Sequence, residues 1–227
     1  MQEVKFAVTE GDMNNKDWRV VSSRITYQDR WIKLRSDDCI TPAGVKVAPY
    51  HVLEYPNWVN IVPVTSDGMI IMVEEYRHGH QSVMLGLVGG AVDTDDSIGG
   101  AADLAAARRE MEEEIGLTPD YLVDILRSSP NSASHTNIVT SFLAYGLKQS
   151  LGRRPDDSES IAVSERKITD VLDEVQSGNL LIQALHLVSI YAAVQFIITN
   201  EFSDIGINNI KDELIFYFKL KAKVPLS

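Results

Sequence analysis

The sequence predicts an α/β protein with a mixed sheet, preceded by a small antiparallel β-sheet, and three observations carry that expectation. Before residue 56 the chain holds only short β-like runs parted by turn signals. Near residue 90 a strand-like run passes through two glycines into a helix-forming segment. Beyond it, strand-like and helix-like stretches alternate, with no repeat of solenoid type.

Taken in order, Arg19 to Tyr27, Trp31 to Arg35 and Val45 to Leu53 are β-rich and are separated by Gln28-Asp29 and Thr41-Pro42-Ala43-Gly44. Residues 1–56 are therefore expected to form an N-terminal β-sheet region, and residues 57–227 the main domain. Val59 to Val64 and Met69 to Tyr76 flank Thr65-Ser66-Asp67-Gly68, where Asp-Gly supplies the positive φ of a tight hairpin. Leu85 to Val88 leads into Gly89-Gly90, an acidic loop, and a helix from Ala101 to Ile115 that Gly116 should stop. A strand from Ile138 to Tyr145 follows, then a polar loop from Lys148 to Ser160 and a short strand from Ile161. Helices over Asp170 to Ser177 and Leu180 to Ile198, and a last strand over Leu214 to Leu220, complete the reading.

Composition narrows the function. With 227 residues and 44% hydrophobic content the chain can bury a core, and 14 Gly and 8 Pro are too few for a low-complexity chain. Thirty-two acidic against 21 basic residues give a net charge of −11, which disfavours nucleic-acid partners. Residues 199–227 also carry too few positive charges for a DNA-binding winged helix. Cys39 is the single cysteine, which excludes an internal disulfide and a multi-cysteine zinc cage and suits a reducing compartment. The first residues, MQEVKFAVTEGD, lack a basic and then apolar leader, so cytoplasm is the expected location. The greasy stretch from Leu180 to Ile198 is interrupted by Gln183, His186, Ser189 and Gln195, a pattern of a buried helix and not of a membrane span.

The chemistry concentrates on the helix after Gly89-Gly90. At about 100° per residue, Leu104, Ala107, Met111 and Ile115 form one apolar stripe. Glu110, Glu113 and Glu114 share an adjacent arc, while Glu112 points elsewhere. Like charges at these spacings each cost about 0.2 to 0.5 kcal/mol, and anions in a last turn oppose the helix dipole. A divalent cation would reverse both penalties, and oxygen-only ligands suit Mg²⁺, Mn²⁺ or Ca²⁺ better than zinc. A solvated acidic face is the alternative. Arg109 lies away from the apolar stripe, one turn before Glu113, and is expected to brace that carboxylate.

The string GGAVDTDDSIGGAADLAAARREMEEEIGL, from Gly89 to Leu117, resembles in its second half the Nudix box, G-x5-E-x7-R-E-U-x-E-E-x-G-U. Arg109, Glu110, Met111, Glu113, Glu114, Gly116 and Leu117 match in register, seven positions within nine residues. The first half departs from the pattern: Gly90 to Arg109 is 19 steps where the family uses 14, and Ala101 stands at the early glutamate's place. Counting forward from Gly90 instead reaches Asp96, which could keep a carboxylate near Arg109 if the following residues bulge out.

The resemblance implies an α/β/α sandwich and Mg²⁺-dependent hydrolysis of a nucleoside diphosphate derivative, with Mn²⁺ as the substitute ion. It also implies that Glu110, Glu113 and Glu114, with the carbonyl of Gly89, hold the metal, and that Arg109, Glu110 and Glu113 take part in catalysis. Glu75-Tyr76-Arg77, Ser129-Pro130 and the region from Asp157 to Ile161 resemble the ADP-ribose pyrophosphatase branch. By that likeness Arg77 contacts a substrate phosphate, Glu159 is the general base, and the N-terminal sheet builds a homodimer on the substrate side. The branch continues Ser-Pro-Gly and places a glutamate five residues after the proline, where this chain has Asn131 and His135. Trp18, Trp31 and Trp58 could each stack a nucleobase, with a place in the core or a dimer interface as the alternative for each, and Trp58, beside Asn57 at a strand start, is the one to test. His78 and His80 read as turn polar residues, and His186 as a hydrogen-bonded core histidine. The expected activity is cleavage of ADP-ribose or a related nucleoside diphosphate sugar; the competing expectation is a Nudix-like module that senses such ligands without cutting them.

Overall fold

The computed structural model describes residues 16–93, 95–97, 101–150 and 161–222 of the 227-residue chain. They fall into two compact units. The first holds the described residues up to Pro56 together with Ser129–Ile138; the second holds the rest, from Asn57. Ser129–Ile138, which the sequence assigns to the main domain, thus keeps company with the N-terminal strands.

In the first unit β1 (Arg19–Gln28), β2 (Lys33–Ile40) and β3 (Lys46–Glu54) form an antiparallel sheet in that order. Asp29 fixes the first connection by accepting the N–H groups of Trp31 at 2.7 Å and Ile32 at 2.9 Å. Gly44, at φ 78°, closes the second, donating to the Thr41 carbonyl at 2.9 Å. The returning segment pairs with β3 through Leu53 N–H to Ser134 O at 2.7 Å and Thr136 N–H to Leu53 O at 3.2 Å. Val21, Tyr27 and Trp31 stay exposed, at 53%, 55% and 68%, and Trp18 is nearly half exposed, so of the two alternatives to base stacking the core one fails for Trp31 and the interface one stays open.

In the second unit β4 (Trp58–Pro63), β7 (Val88–Ala91), β8 (Leu117–Ser128) and β9 (Val139–Gln149) make a mixed sheet, order β7-β4-β9-β8, with β4 and β9 parallel. β5 (Ile70–Arg77), β6 (Ser82–Gly86) and β10 (Ala162–Arg166) make an antiparallel sheet, order β10-β5-β6. Strand alternation sends β4 residues into two cores. Val59 and Ile61 pack with Ala106, Ala107 and Met111 of the helical segment that begins with α1 (Ala102–Glu110). Val62, with Val64 just past the strand's end, packs with α2 (Ile168–Gln176), α3 (Ala184–Thr199) and α4 (Ile205–Lys221) through Val171, Ile190, Ile197, Ile207 and Leu214. A strand buried on both faces between helical layers is the α/β/α sandwich expected.

Five elements differ from the sequence reading. The strands expected as a tight hairpin, Val59 to Val64 and Met69 to Tyr76, meet at the Val64–Ile70 bridge and then run in different sheets as β4 and β5, and the strand expected over Leu85 to Val88 is divided between β6 and β7. Leu214 to Leu220, expected as a strand, is the end of α4. Its apolar run imitates a strand, but over the longer window Ile207, Ile210 and Leu214 recur at helical spacing and are buried. Each contributes roughly 1.5–3 kcal/mol on burial, and Asp204 caps the start by accepting the Ile207 N–H at 3.0 Å. β8 falls on a stretch to which the sequence reading assigns no element; it lies at the end of the strand order, where Pro119 does not break a ladder on its free side. The helix predicted to run to Ile115 is α-helical to Glu110 and then widens into a π-helical turn, Met111–Ile115, which Gly116 stops at φ 70°.

Candidate active site

The site forms where β7 meets the end of α1. Gly90 and Gly89 sit opposite Val59 and Asn60 of β4. A Cβ on Gly89 would lie 2.2 Å from the Val59 carbonyl oxygen, and one on Gly90 would lie 2.3 Å from Glu110 Oε1, so only glycine permits this approach. Glu110 and Glu114, one turn apart, are buried at 9% and 6% exposure. Glu114 Oε2 accepts the Gly89 N–H at 3.3 Å.

Arg109 organises the other side. Its Nη1 donates to Glu110 Oε1 and to Glu113 Oε2, each at 2.9 Å. Its Nη2 donates to the Ala91 carbonyl at 2.9 Å and to Asp96 Oδ2 at 3.2 Å, and its Nε to Asp96 Oδ1 at 3.4 Å. Asp96 is itself buried and its Oδ2 accepts the Asp93 N–H at 2.8 Å. Burial alone would lower the Arg109 pKa; the hydrogen bonds it donates to Asp96 and Glu113 and the charges of Glu110 and Asp96 outweigh it and hold the guanidinium above its ordinary range. Asp96, reached by counting from Gly90, therefore meets Arg109 with two oxygens, while Ala101 offers no such group.

Of the expected metal ligands, the structure gathers Glu110, Glu114 and Gly89 along the two glycines, and Glu113 turns to Arg109. Among the described residues no three His, Cys, Asp or Glu side chains form a group shaped to hold a metal ion. Arg109 draws one oxygen from each of two glutamates, and the wide π turn advances less per residue than the wheel assumes. The donor set still fits a hard cation in kind: two buried carboxylates, a third partly exposed, and a backbone carbonyl unobstructed by any Cβ.

Trp58 and Arg77 come together with Gly89 and Gly90. They share a cavity of about 250 Å³ with Asn60, Gln183 and His186. Arg77 also pairs with Glu75 at 2.8 Å, so the surface ion pair and the cavity position coexist. Asn60 Nδ2 donates to Ser189 Oγ at 3.2 Å, and Ser189 Oγ bonds Ser141 Oγ at 2.8 Å, tying β4 and β9 to α3 through buried polar groups. Asn60 and Gln183 carry no local motif; strand and helix bring them to the cavity from distant parts of the chain. Glu159 lies outside the described residues. His78 and His80 are exposed.

His186 is a buried core histidine whose Nδ1 accepts the Leu87 N–H at 3.1 Å. Burial, helped by the nearby Arg77 charge, pushes its pKa down to about 4. A ring neutral when folded and protonated near 6.5 when unfolded contributes stability that is complete above pH 6.5 and lost as pH falls to 4. Between pH 7 and 4.5 the loss from this group should be about 2 to 3 kcal/mol. Denaturant unfolding at the two pH values should show the drop, and His186→Gln should shrink it by that amount.

A sequence model of the NUDIX domain matches residues 55–179, and one described as the nucleoside diphosphate sugar hydrolase N-terminal domain matches residues 18–53. An ADP-ribose pyrophosphatase of Bacillus subtilis is 26% identical over 166 residues, 73% of this chain and 86% of that protein. One from Mycobacterium tuberculosis is 31% identical over 140 residues, 60% of this chain and 64% of that protein. The methanol dehydrogenase activator of Bacillus methanolicus is 21% identical over 163 residues, 71% of this chain and 85% of that protein. A crystal structure of an ADP compounds hydrolase superposes with a TM-score of 0.69 at 20% identity, covering 82% of this chain and 97% of that one.

Proposed function

The chain is a Nudix hydrolase, a member of the family whose domain it matches over residues 55–179, and from that premise we propose that it cleaves the diphosphate of ADP-ribose or a related nucleoside diphosphate sugar with Mg²⁺. The observation that carries the reading is the pair of buried carboxylates, Glu110 and Glu114, set against Gly89-Gly90 beside the Arg109 brace. The pyrophosphatase relatives support the substrate class.

When bound, the cation supplies positive charge that offsets the phosphate oxygens and eases attack by water. Glu110, Glu113, Glu114 and the Gly89 carbonyl would hold it. Arg109 fixes the direction of Glu110 and Glu113, and Arg77 receives a substrate phosphate with its forked donor. Trp58 stacks the base. Glu159 is assigned as the base that takes the proton from water. The water oxygen bonds to one phosphorus while the bridging P–O bond breaks, and the bridging oxygen leaves with the other. One nucleoside monophosphate and one sugar phosphate result.

Incubation with Mg²⁺ and ADP-ribose should yield AMP and ribose 5-phosphate. A second reading, ligand sensing without cleavage, is favoured by one relative's being named an activator; saturable binding with no product would decide for it. In the cleaving protein Asp96→Ala should lower turnover about tenfold, because a charge-assisted bond on Arg109 is lost while Glu110 and Glu113 still hold it. Steady-state kinetics beside a melting curve would check this, with an unchanged rate removing Asp96 from the site.

The exposed Val21, Tyr27 and Trp31 on and beside β1 support pairing of the N-terminal sheet with a second copy. A solution mass of two chains is the expected result. No helix among the described residues is long and apolar enough to cross a membrane, and the cytoplasm is the proposed location.

A further inference from the structure

The chain changes sheets at Leu87. Gly86 ends β6, which pairs with β5, and Val88 begins β7, which pairs with β4. Leu87 belongs to neither strand and is 1% exposed, and its N–H is satisfied by His186 Nδ1 of α3 at 3.1 Å. Gly86 makes room for the ring, since a Cβ there would meet Nδ1 at 2.7 Å and Cε1 at 2.8 Å. One turn further along α3, buried Ser189 accepts a hydrogen bond from Asn60 Nδ2 at 3.2 Å, and Asn60 faces Gly89 across the β4–β7 ladder. The helix therefore holds β7 at its entry and β4 opposite the glycines.

We propose that His186 is a positioning residue, which through Leu87 sets the advance of β7 and so places Gly89 and Gly90 against Glu114 and Glu110. The inference rests on the diphosphate-cleaving reading above. Gly89 follows Leu87 by two residues, about 7 Å of strand, too short a stretch to absorb a shift at the switch between sheets. The contact delivered there is easily lost: the Gly89 N–H meets Glu114 Oε2 at 3.3 Å, longer than the roughly 2.7 to 3.2 Å usual for such bonds. Gly90, for its part, admits Glu110 only through its missing Cβ. The His186 ring also borders the cavity of Trp58 and Arg77, so direct contact with substrate is the rival role, one that would act on binding and not on the carboxylates.

His186→Asn keeps an acceptor where Nδ1 stands and His186→Leu removes it, while both lose the ring. In His186→Leu the kcat for ADP-ribose should fall about tenfold with KM within about twofold. His186→Asn should return kcat to within about threefold of the wild type. Hydrogen exchange of the Gly89 amide, read without metal or substrate, should be about tenfold faster in His186→Leu than in His186→Asn. Ile197→Val, which thins the core about three turns further along α3, should leave both readouts unchanged. The role would be overturned by His186→Leu matching Ile197→Val, by His186→Asn falling as far as His186→Leu, by one exchange rate common to both His186 variants, or by a change confined to KM. Where His186→Leu does not fold, His186→Gln, whose oxygen sits one bond further out, stands in on the same readouts. If wild-type protein and Mg²⁺ cleave no ADP-ribose, the pyrophosphatase reading fails. Gly89 exchange alone then upholds the positioning role when it separates His186→Leu from His186→Asn, and removes it when the two agree.

Discussion

Glu114→Gln should reduce hydrolysis of ADP-ribose by about 10³-fold, a loss of about 4 kcal/mol in barrier lowering. The change replaces one oxygen by an amide of nearly the same shape and removes a full negative charge. Glu114 is buried and bonds the Gly89 N–H, a contact that the remaining oxygen of glutamine can keep. Folding should therefore hold or improve, because a buried charge is costly to maintain. Melting curves without added metal should overlay or move upward, and the stabilisation that Mg²⁺ gives the wild type should disappear. Retained turnover with retained stability would remove Glu114 from the ligand set and leave the acidic cluster as a solvated face.

Gly90→Ala should lower turnover about 10²-fold by a purely steric route. The added methyl would fall 2.3 Å from Glu110 Oε1, closer than carbon and oxygen can approach, so the carboxylate must swing away. Its partner Arg109 would follow or release it, and a displacement of about 1 Å at a reacting centre is enough for such a loss. Stability should fall by about 1 to 3 kcal/mol, as for other overpacked sites. Gly79→Ala is the control: a Cβ there meets nothing within 4 Å. Kinetics that leave Gly90→Ala indistinguishable from the control would mean that Glu110 acts elsewhere than against β7.

What the sequence disclosed depended on how local each feature is. Arg109 through Leu117 lie in one unbroken segment, so spacing alone placed Glu110, Glu113 and Glu114 beside one another and Arg109 within reach of Glu113, at 2.9 Å in the structure. Asp96 was reachable only by counting from Gly90, because nothing in its immediate neighbours marks it. Trp58, Arg77, Gln183 and His186 belong to β4, β5, the approach to α3 and α3 itself, and a strand-by-helix crossing brings them to one cavity. No window of adjacent residues contains that crossing. α4 was misread for the opposite reason: the window was too short to separate a strand's apolar run from two turns of helix. The apolar β4, by contrast, was legible because burial on both sides leaves a continuous hydrophobic string.

The wide turn at Met111–Ile115 makes the number of residues there as important as their identity. A screw thread cut at two pitches delivers Gly116 and the first residue of β8 at one rotational phase only. Deleting exposed Glu112 would spare every acidic side chain implicated in chemistry, yet the thread would run at a single pitch and arrive early. Glu113 and Glu114 would then be rotated out of step with Arg109 and the glycines, a lesion of timing along the chain with no functional group removed.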